Sequence, residues 1–132
     1  MPKRINPAIS EAESRVMEVL WREAPRASEE LVAVLQPDTA WHENTVRTLL
    51  NRLVRKGAVR AEREGRRYLY SPVLTREQWQ TQESRSLLDR VFGGKVAPLL
   101  VHFSRNEKLG AKDVTELRKL VEQLEKKERR RG

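Results

Sequence analysis

Residues 43–56, Glu-Asn-Thr-Val-Arg-Thr-Leu-Leu-Asn-Arg-Leu-Val-Arg-Lys, constrain the fold more than any other stretch of the chain. Val46, Leu49, Leu50 and Leu53 recur at i, i+3, i+4 and i+7, the spacing of one helical face. The opposite side carries Thr45, Arg47, Thr48, Asn51, Arg52 and Arg55, and no acid follows Glu43. Solvated helix faces ordinarily mix signs, because Glu and Lys support each other one turn apart. This face offers hydroxyl, amide and guanidinium groups instead. Gly57 stands where the C-terminal cap of such a helix is expected.

A β-hairpin is predicted directly after it. Residues 58–63 read as one strand, Glu64-Gly65-Arg66 as the turn, and residues 67–71 as the return strand, closed by Pro72. Arg66 and Arg67 then sit at or near the tip. Two helices precede the basic one. The first begins at Ser10, where Ser10-Glu11-Ala12-Glu13 forms a capping box, and its apolar stripe is Val16, Met17 and Leu20. The second runs from Ser28 as N-cap to Gln36, with Leu31, Val32 and Leu35 inward and Pro37 as its stop. Three helices followed by an arginine-tipped hairpin give the layout of a winged helix-turn-helix.

Downstream the pattern is wholly helical. Thr75-Arg76-Glu77-Gln78 is a second capping box, opening a helix that reaches Val91 and breaks at Gly93-Gly94. A short apolar helix covers residues 95–105, with Pro98 tolerated in its first turn. The last helix runs from Ala111 toward Arg129. Its Val114, Leu117, Val121 and Leu124 are spaced 3, 4 and 3 apart, as in a heptad seam. The fold class is therefore mainly α: a winged-helix domain at residues 7–73, a three-helix dimerisation domain at 74–126, and a basic tail at 127–132 that reads as a frayed, solvated end.

Composition supports this division. Hydrophobic residues make up 38% of the 132, below the roughly 45–50% usual for globular chains. A core shared between two copies would resolve the shortage. The C-terminal residues expected at that interface are Leu87, Leu88, Val91, Phe92, Leu99, Leu100, Phe103, Val114, Leu117, Val121 and Leu124. The net charge is +8, the footprint of a polyanion binder. It is unevenly placed: residues 1–40 carry −2, residues 41–70 carry +5, residues 71–125 carry +1 and residues 126–132 carry +4.

Several functions are excluded or disfavoured. There is no cysteine, hence no disulfide, thiolate metal site or cysteine nucleophile, which fits the reducing cytoplasm. Residues 1–7 contain no apolar run of the kind a signal peptide needs. No window approaches the ~18 apolar residues of a membrane span. His42 and His102 are the only histidines and lack metal-ligand spacing, so neither metal nor cofactor is expected. No acid pair sits beside a nucleophile, and an enzyme is not expected. Trp21 and Trp41 read as packing residues, and Trp79 as packing within the C-terminal helices or at their interface.

The physics of the central segment suits double-stranded DNA. A helix fits the major groove, whose base edges display a readable donor and acceptor pattern. Arginine grips guanine or phosphate in two-pronged fashion, and a helix N-terminus accepts phosphate. The residues expected to touch DNA are Thr45, Arg47, Thr48, Asn51, Arg52 and Arg55 on the helix, with Arg66 and Arg67 in the wing. Two rival readings are a nonspecific architectural DNA-binding protein and a winged-helix scaffold for protein interactions.

Particular motifs along the chain are also recognisable. They are Ile9-Ser10-Glu11-Ala12-Glu13, Val19-Leu20-Trp21, Trp41-His42-Glu43-Asn44-Thr45-Val46-Arg47-Thr48-Leu49-Leu50-Asn51-Arg52-Leu53, Lys56-Gly57, Tyr68-Leu69-Tyr70-Ser71-Pro72, and Leu88-Asp89-Arg90-Val91-Phe92-Gly93-Gly94. In these the chain resembles the BlaI/MecI family of bacterial repressors, which also includes the copper-responsive CopY-type members. The resemblance covers about residues 7–125. It implies a homodimer that binds a pseudo-palindromic operator and blocks transcription. In antibiotic-responsive members, it further implies a membrane-anchored metalloprotease sensor whose signal leads to repressor cleavage between an asparagine and a phenylalanine. The matching bond here is His102–Phe103. Two positions depart from the family pattern: His42 stands where a serine is common, and His102 replaces the asparagine. The cysteines of the copper sensors are absent.

Overall fold

In the computed structural model, residues 8–131 are described. Residues 1–7, which lack a leader's apolar run and include the first residue expected of the winged-helix domain, lie outside them, as does Gly132. The elements in order are α1 (Glu11–Arg22), α2 (Ser28–Thr39), α3 (Glu43–Lys56), β1 (Val59–Glu64), β2 (Arg67–Pro72), α4 (Arg76–Val91), α5 (Val96–Asn106) and α6 (Ala111–Arg131). Every predicted element forms. The chain divides into two compact units, one up to Ser84 and one from Arg85.

The first unit closes around an apolar cluster. Val16, Met17 and Leu20 of α1, Leu31 of α2, and Val46, Leu50 and Leu53 of α3 are all fully buried. The local signals act as expected at both capping boxes. Ser10 Oγ accepts from the Glu13 amide at 3.1 Å, while Glu13 Oε1 accepts from the Ser10 amide at 2.8 Å. Thr75 and Gln78 repeat this at the start of α4, at 3.0 and 2.9 Å. Gly57 ends α3 with φ +82°, a left-handed conformation that costs glycine little.

The strands pair antiparallel in the register Val59↔Pro72 to Glu64↔Arg67, which leaves a two-residue turn at Gly65-Arg66. Gly65 occupies positive φ there, as a tight hairpin turn requires. Arg67 is thus the first residue of β2, and Arg66 alone stands in the turn. Arg26, just before α2, also pairs with the returning strand: its amide donates to Tyr70 O at 3.1 Å and the Tyr70 amide donates to Arg26 O at 2.8 Å.

That pairing corrects the predicted start of α2. With Arg26 bridged to β2, the extended residue before the helix is Ala27, not Ser28, and Glu30 Oε1 accepts the Ala27 amide at 2.7 Å. Nor does Pro37 stop this helix. It lies within α2, which continues to Thr39 and ends where Ala40 turns left-handed. Having no amide hydrogen, Pro37 cannot donate to Ala33 O, the carbonyl one turn back. The helix still closes beyond it, where Leu35 O accepts from Thr39 Oγ1 at 2.8 Å and Gln36 O from the Ala40 amide at 2.9 Å.

Trp79 corrects a second expectation. It packs against the winged-helix core, with its ring centroid 5.4 Å from that of Trp21. The first turns of α4 therefore belong to the first unit. Trp21 donates its indole N–H to Leu74 O at 2.8 Å, which anchors the chain just ahead of α4. Trp41 packs on the same core, as expected.

The second unit holds the rest of α4, then α5 and α6. Gly93-Gly94 ends α4, and the Gly94 amide closes it by donating to Leu88 O at 2.7 Å. Neither α5 nor α6 has a buried residue. The last helix does not stop at residue 127. It continues to Arg131, because lysine and arginine are good helix formers and cations are favourable at a helix C-terminus.

Candidate nucleic-acid interface

The orientation of α3 follows from its buried side. With Val46, Leu49, Leu50 and Leu53 against the core, the pole farthest from it is the series 44, 48, 51 and 55, at i, i+4, i+7 and i+11. Thr45, Arg47, Thr48, Asn51, Arg52 and Arg55 are all exposed. Asn44 shares this pole and is missing from the set expected on sequence, although its spacing to Thr48 and Asn51 is enough to place it.

The exposed residues differ in how far they are already engaged. Arg47 is held by Glu43 one turn back, at 2.6 Å, and the Thr48 hydroxyl donates to Asn44 O at 2.9 Å. Arg52 and Arg55 have no acidic partner among the described residues. At the start of α3, His42 supplies no side-chain cap. The amides of Thr45 and Val46 bond to His42 O, which leaves those of Glu43 and Asn44 facing outward in the positive first turn.

The wing is braced on both sides of its turn. Arg63 stacks over the Tyr68 ring at 5.9 Å and donates to Gly65 O at 3.2 Å. Arg67 Nη1 reaches Glu29 Oε1 at 3.3 Å, linking β2 to the first turn of α2. The Glu29 carboxyl is held below its ordinary range, first by its own backbone amide and then by Arg67. Arg66, at the turn itself, has no ion partner among the described residues. The two wing arginines that look equivalent in sequence therefore differ: one is tethered and one is free.

Behind the exposed face lies a bonded pair that no local pattern shows. Lys56, the last residue of α3, bonds Glu13 at 2.5 Å and Ala8 O at 2.7 Å. The Glu13 side chain is 2% exposed. Burial alone would raise its pKa, but hydrogen bonds from the Lys56 ammonium and the Ser10 amide, with the Lys56 charge, hold it below the ordinary value. The pair fastens the end of the basic helix to the start of α1 and fixes the angle at which its outer face is presented.

The C-terminal residues expected at an interface are mostly uncovered. Leu87, Val91, Leu100, Phe103, Val114, Val121 and Leu124 are exposed, and Phe92, Leu99 and Leu117 are half-buried. Leu88 differs, being already buried within the single chain. His102 lies inside α5, its ring 6.2 Å from that of Phe92, and its carbonyl accepts from the Asn106 side chain at 3.0 Å. Among the described residues, no helix is long and apolar enough to cross a membrane.

Comparison with known proteins gives one consistent result. Residues 9–123 match the family described as penicillinase repressor. The chain is 31% identical over 117 residues to the penicillinase repressor of Bacillus licheniformis, covering 89% of this chain and 91% of that one. It is 29% identical over 119 residues to the penicillinase repressor of Staphylococcus aureus, covering 90% and 94%. The solution structure of the DNA binding domain of the repressor BlaI matches with a TM-score of 0.52 at 35% identity, covering 58% of this chain and 93% of that one. With a family match that runs through both compact units, the chain belongs to the penicillinase repressor family, the group of BlaI and MecI.

Proposed function

We propose that this protein is a sequence-specific DNA-binding transcriptional repressor that acts as a homodimer on a pseudo-palindromic operator. The observation that carries the reading is the acid-free outer face of α3, with Arg52 and Arg55 unpaired beside a wing whose turn arginine, Arg66, is also unpaired among the described residues. Arginines already neutralised by neighbouring acids would have to exchange one partner for another. Unpaired ones meet phosphate and guanine at no such cost. Asn44, Thr45, Thr48, Arg52 and Arg55 read base edges, Arg47 and Asn51 flank them, and Arg66 and Arg67 hold the backbone beside the groove. Membership of a family of repressors supports the same role.

Residues 74–126 supply the dimer. Val114, Leu117, Val121 and Leu124 form an apolar seam on α6, of which the single chain half-covers Leu117 and leaves the other three exposed. A second copy with the same seam covers it through a two-fold interface. Two winged helices then engage two half-sites, and tethering makes the second engagement effectively intramolecular.

Release follows from the same arrangement. A cut at His102–Phe103, the bond that corresponds to the cleavage point of antibiotic-responsive members, would detach α6 and its seam. The bond sits inside α5 and requires that helix to open locally. A membrane-anchored metalloprotease sensor system is the proposed source of the signal, and the protein acts in the cytoplasm.

Selection of bound sequences from a random duplex pool tests the central reading. The expected product is a site with two-fold related half-sites spaced by whole helical turns, bound at least about 10³-fold more tightly than random DNA. A pool that shows no enrichment would sink it in favour of nonspecific architectural binding.

A further inference from the structure

The last helix carries a second cationic face, on the side away from its apolar seam. Lys112, Lys119, Lys126 and Arg130 recur at intervals of seven, seven and four residues. At about 3.6 residues per turn these intervals bring all four to one side of the helix. Thr115 and Gln123 lie along the same side. The nearest carboxylates, Glu116 and Glu122, flank the row, each three or four residues from two of its lysines, and neither forms an ion pair with them among the described residues. All four cations are exposed, and none has an ion partner among the described residues. Because α6 continues to Arg131, the stripe is unbroken. It extends about 27 Å at the helical rise of 1.5 Å per residue.

We infer that this stripe is a second binding surface for duplex DNA, one that takes the sugar–phosphate backbone without reading bases. Its chemistry separates it from α3. Three of its four cations are lysines, which meet phosphate as point charges rather than by forked recognition. It has no aromatic residue to stack an unpaired base, as single-strand binders need. It has no apolar residue among its cations to enter a lipid surface, as interfacial helices need. A straight single-sign row suits a regular polyanion. The choice of duplex DNA rests on the proposed function, since a chain that reads an operator spends its time where duplex phosphate is concentrated. The stripe remains outward when the seam is covered, because the two lie on opposite sides of one helix.

The test uses the full chain and a random-sequence duplex, with affinity measured against salt. The variant K112Q/K119Q/K126Q/R130Q is compared with R22Q/K95Q/R105Q/K108Q, which removes the same charge from other exposed positions. Each phosphate that is no longer neutralised lowers the slope of log K against log salt by about 0.9, so the stripe variant is expected to flatten it by up to about 3–4 per protomer. The control is expected to change it little. Should the fourfold variant lose helix content by circular dichroism, K119Q/K126Q reads the same effect at half the size. Equal slopes for stripe and control variants overturn the inference. So does an effect confined to single-stranded RNA or to phosphatidylserine vesicles. A wild-type chain that binds no duplex defeats the proposed function itself, whereas normal operator preference with an unchanged slope defeats only the stripe.

Discussion

The two units of this chain are built from the same kind of amphipathic helix, yet only the first closes over its apolar faces. In the unit up to Ser84, helices α1, α2 and α3 converge on β1 and β2, and Val16, Met17, Leu20, Leu31, Val46, Leu50 and Leu53 leave water entirely. In the unit from Arg85, Leu88 alone among the described apolar residues is buried, while Val121 and Leu124 remain 53% and 54% exposed. The difference lies in what completes each core. Three helices and a hairpin enclose a volume within one chain. The rest of α4 with α5 and α6 does not, and most of its apolar residues stay exposed. If the proposed dimer forms, stability of the first unit is a property of the chain, while that of the second depends on concentration.

The largest expected effect breaks the second unit. V121D/L124D places two carboxylates on the seam, and the protein should sediment as a monomer in analytical ultracentrifugation. Operator affinity should fall about 10²–10⁴-fold through lost tethering alone, with α3 untouched. A dimer that survives this change, or one that survives deletion of residues 85–132, would place the interface elsewhere.

The first unit should respond oppositely. Leu50→Ala opens a cavity among fully buried neighbours and should cost about 2–5 kcal/mol in thermal or urea unfolding. The loss should be the same at high and low protein concentration, after the dimer's own contribution is subtracted. A concentration-dependent loss would mean that the two cores are not independent.

Within the DNA-facing side, reading and holding should separate. Arg52→Ala should weaken operator binding by about 1–3 kcal/mol and relax base preference at one position of each half-site. Arg66→Ala should weaken operator and random DNA alike and flatten the salt slope by about one. Competition binding on a panel of single-base variants decides between them. Equal loss on operator and random duplex for Arg52→Ala removes that residue from the reading set.

The smallest expected effect concerns Glu13 and Lys56. A carboxyl with a depressed folded-state pKa adds stability above its unfolded value, near 4.5. That stability is lost as the pH falls through the lower folded value. Glu13→Gln should therefore cost on the order of 1 kcal/mol at neutral pH. It should also shrink the acid limb of the stability profile below pH 4.5. An unchanged acid limb in chemical denaturation would show that the pair contributes nothing to the first unit.

Much of this arrangement is legible in the sequence because it is made by neighbours. Capping boxes at Ser10 and Thr75 join residues three apart, and the α3 stripe repeats within two turns. The turn at Gly65 needs one permissive residue. Such signals fail where a distant group intervenes. Ala27 rather than Ser28 caps α2 because Arg26 is held by Tyr70 from the far side of the hairpin. Pro37 does not end α2, because bonds to Leu35 O and Gln36 O carry the last turn past it to Ala40.

The sequence by itself determined which segments are helices and which is the wing, where the positive charge gathers, and that the C-terminal helices carry more apolar surface than they can bury alone. Periodicity, caps and turn residues act over three or four positions, and those are written in order along the chain. Only the tertiary structure decided which charges are spent and which are free. Lys56 meets Glu13 across 43 positions, and Arg67 meets Glu29 across 38. Trp79 leaves the helices it was expected to join and packs on Trp21. These pairings depend on how close the folded backbone brings residues that no local period relates. They leave Arg52, Arg55 and Arg66 as the guanidinium groups on α3 and the wing turn without an ion partner among the described residues.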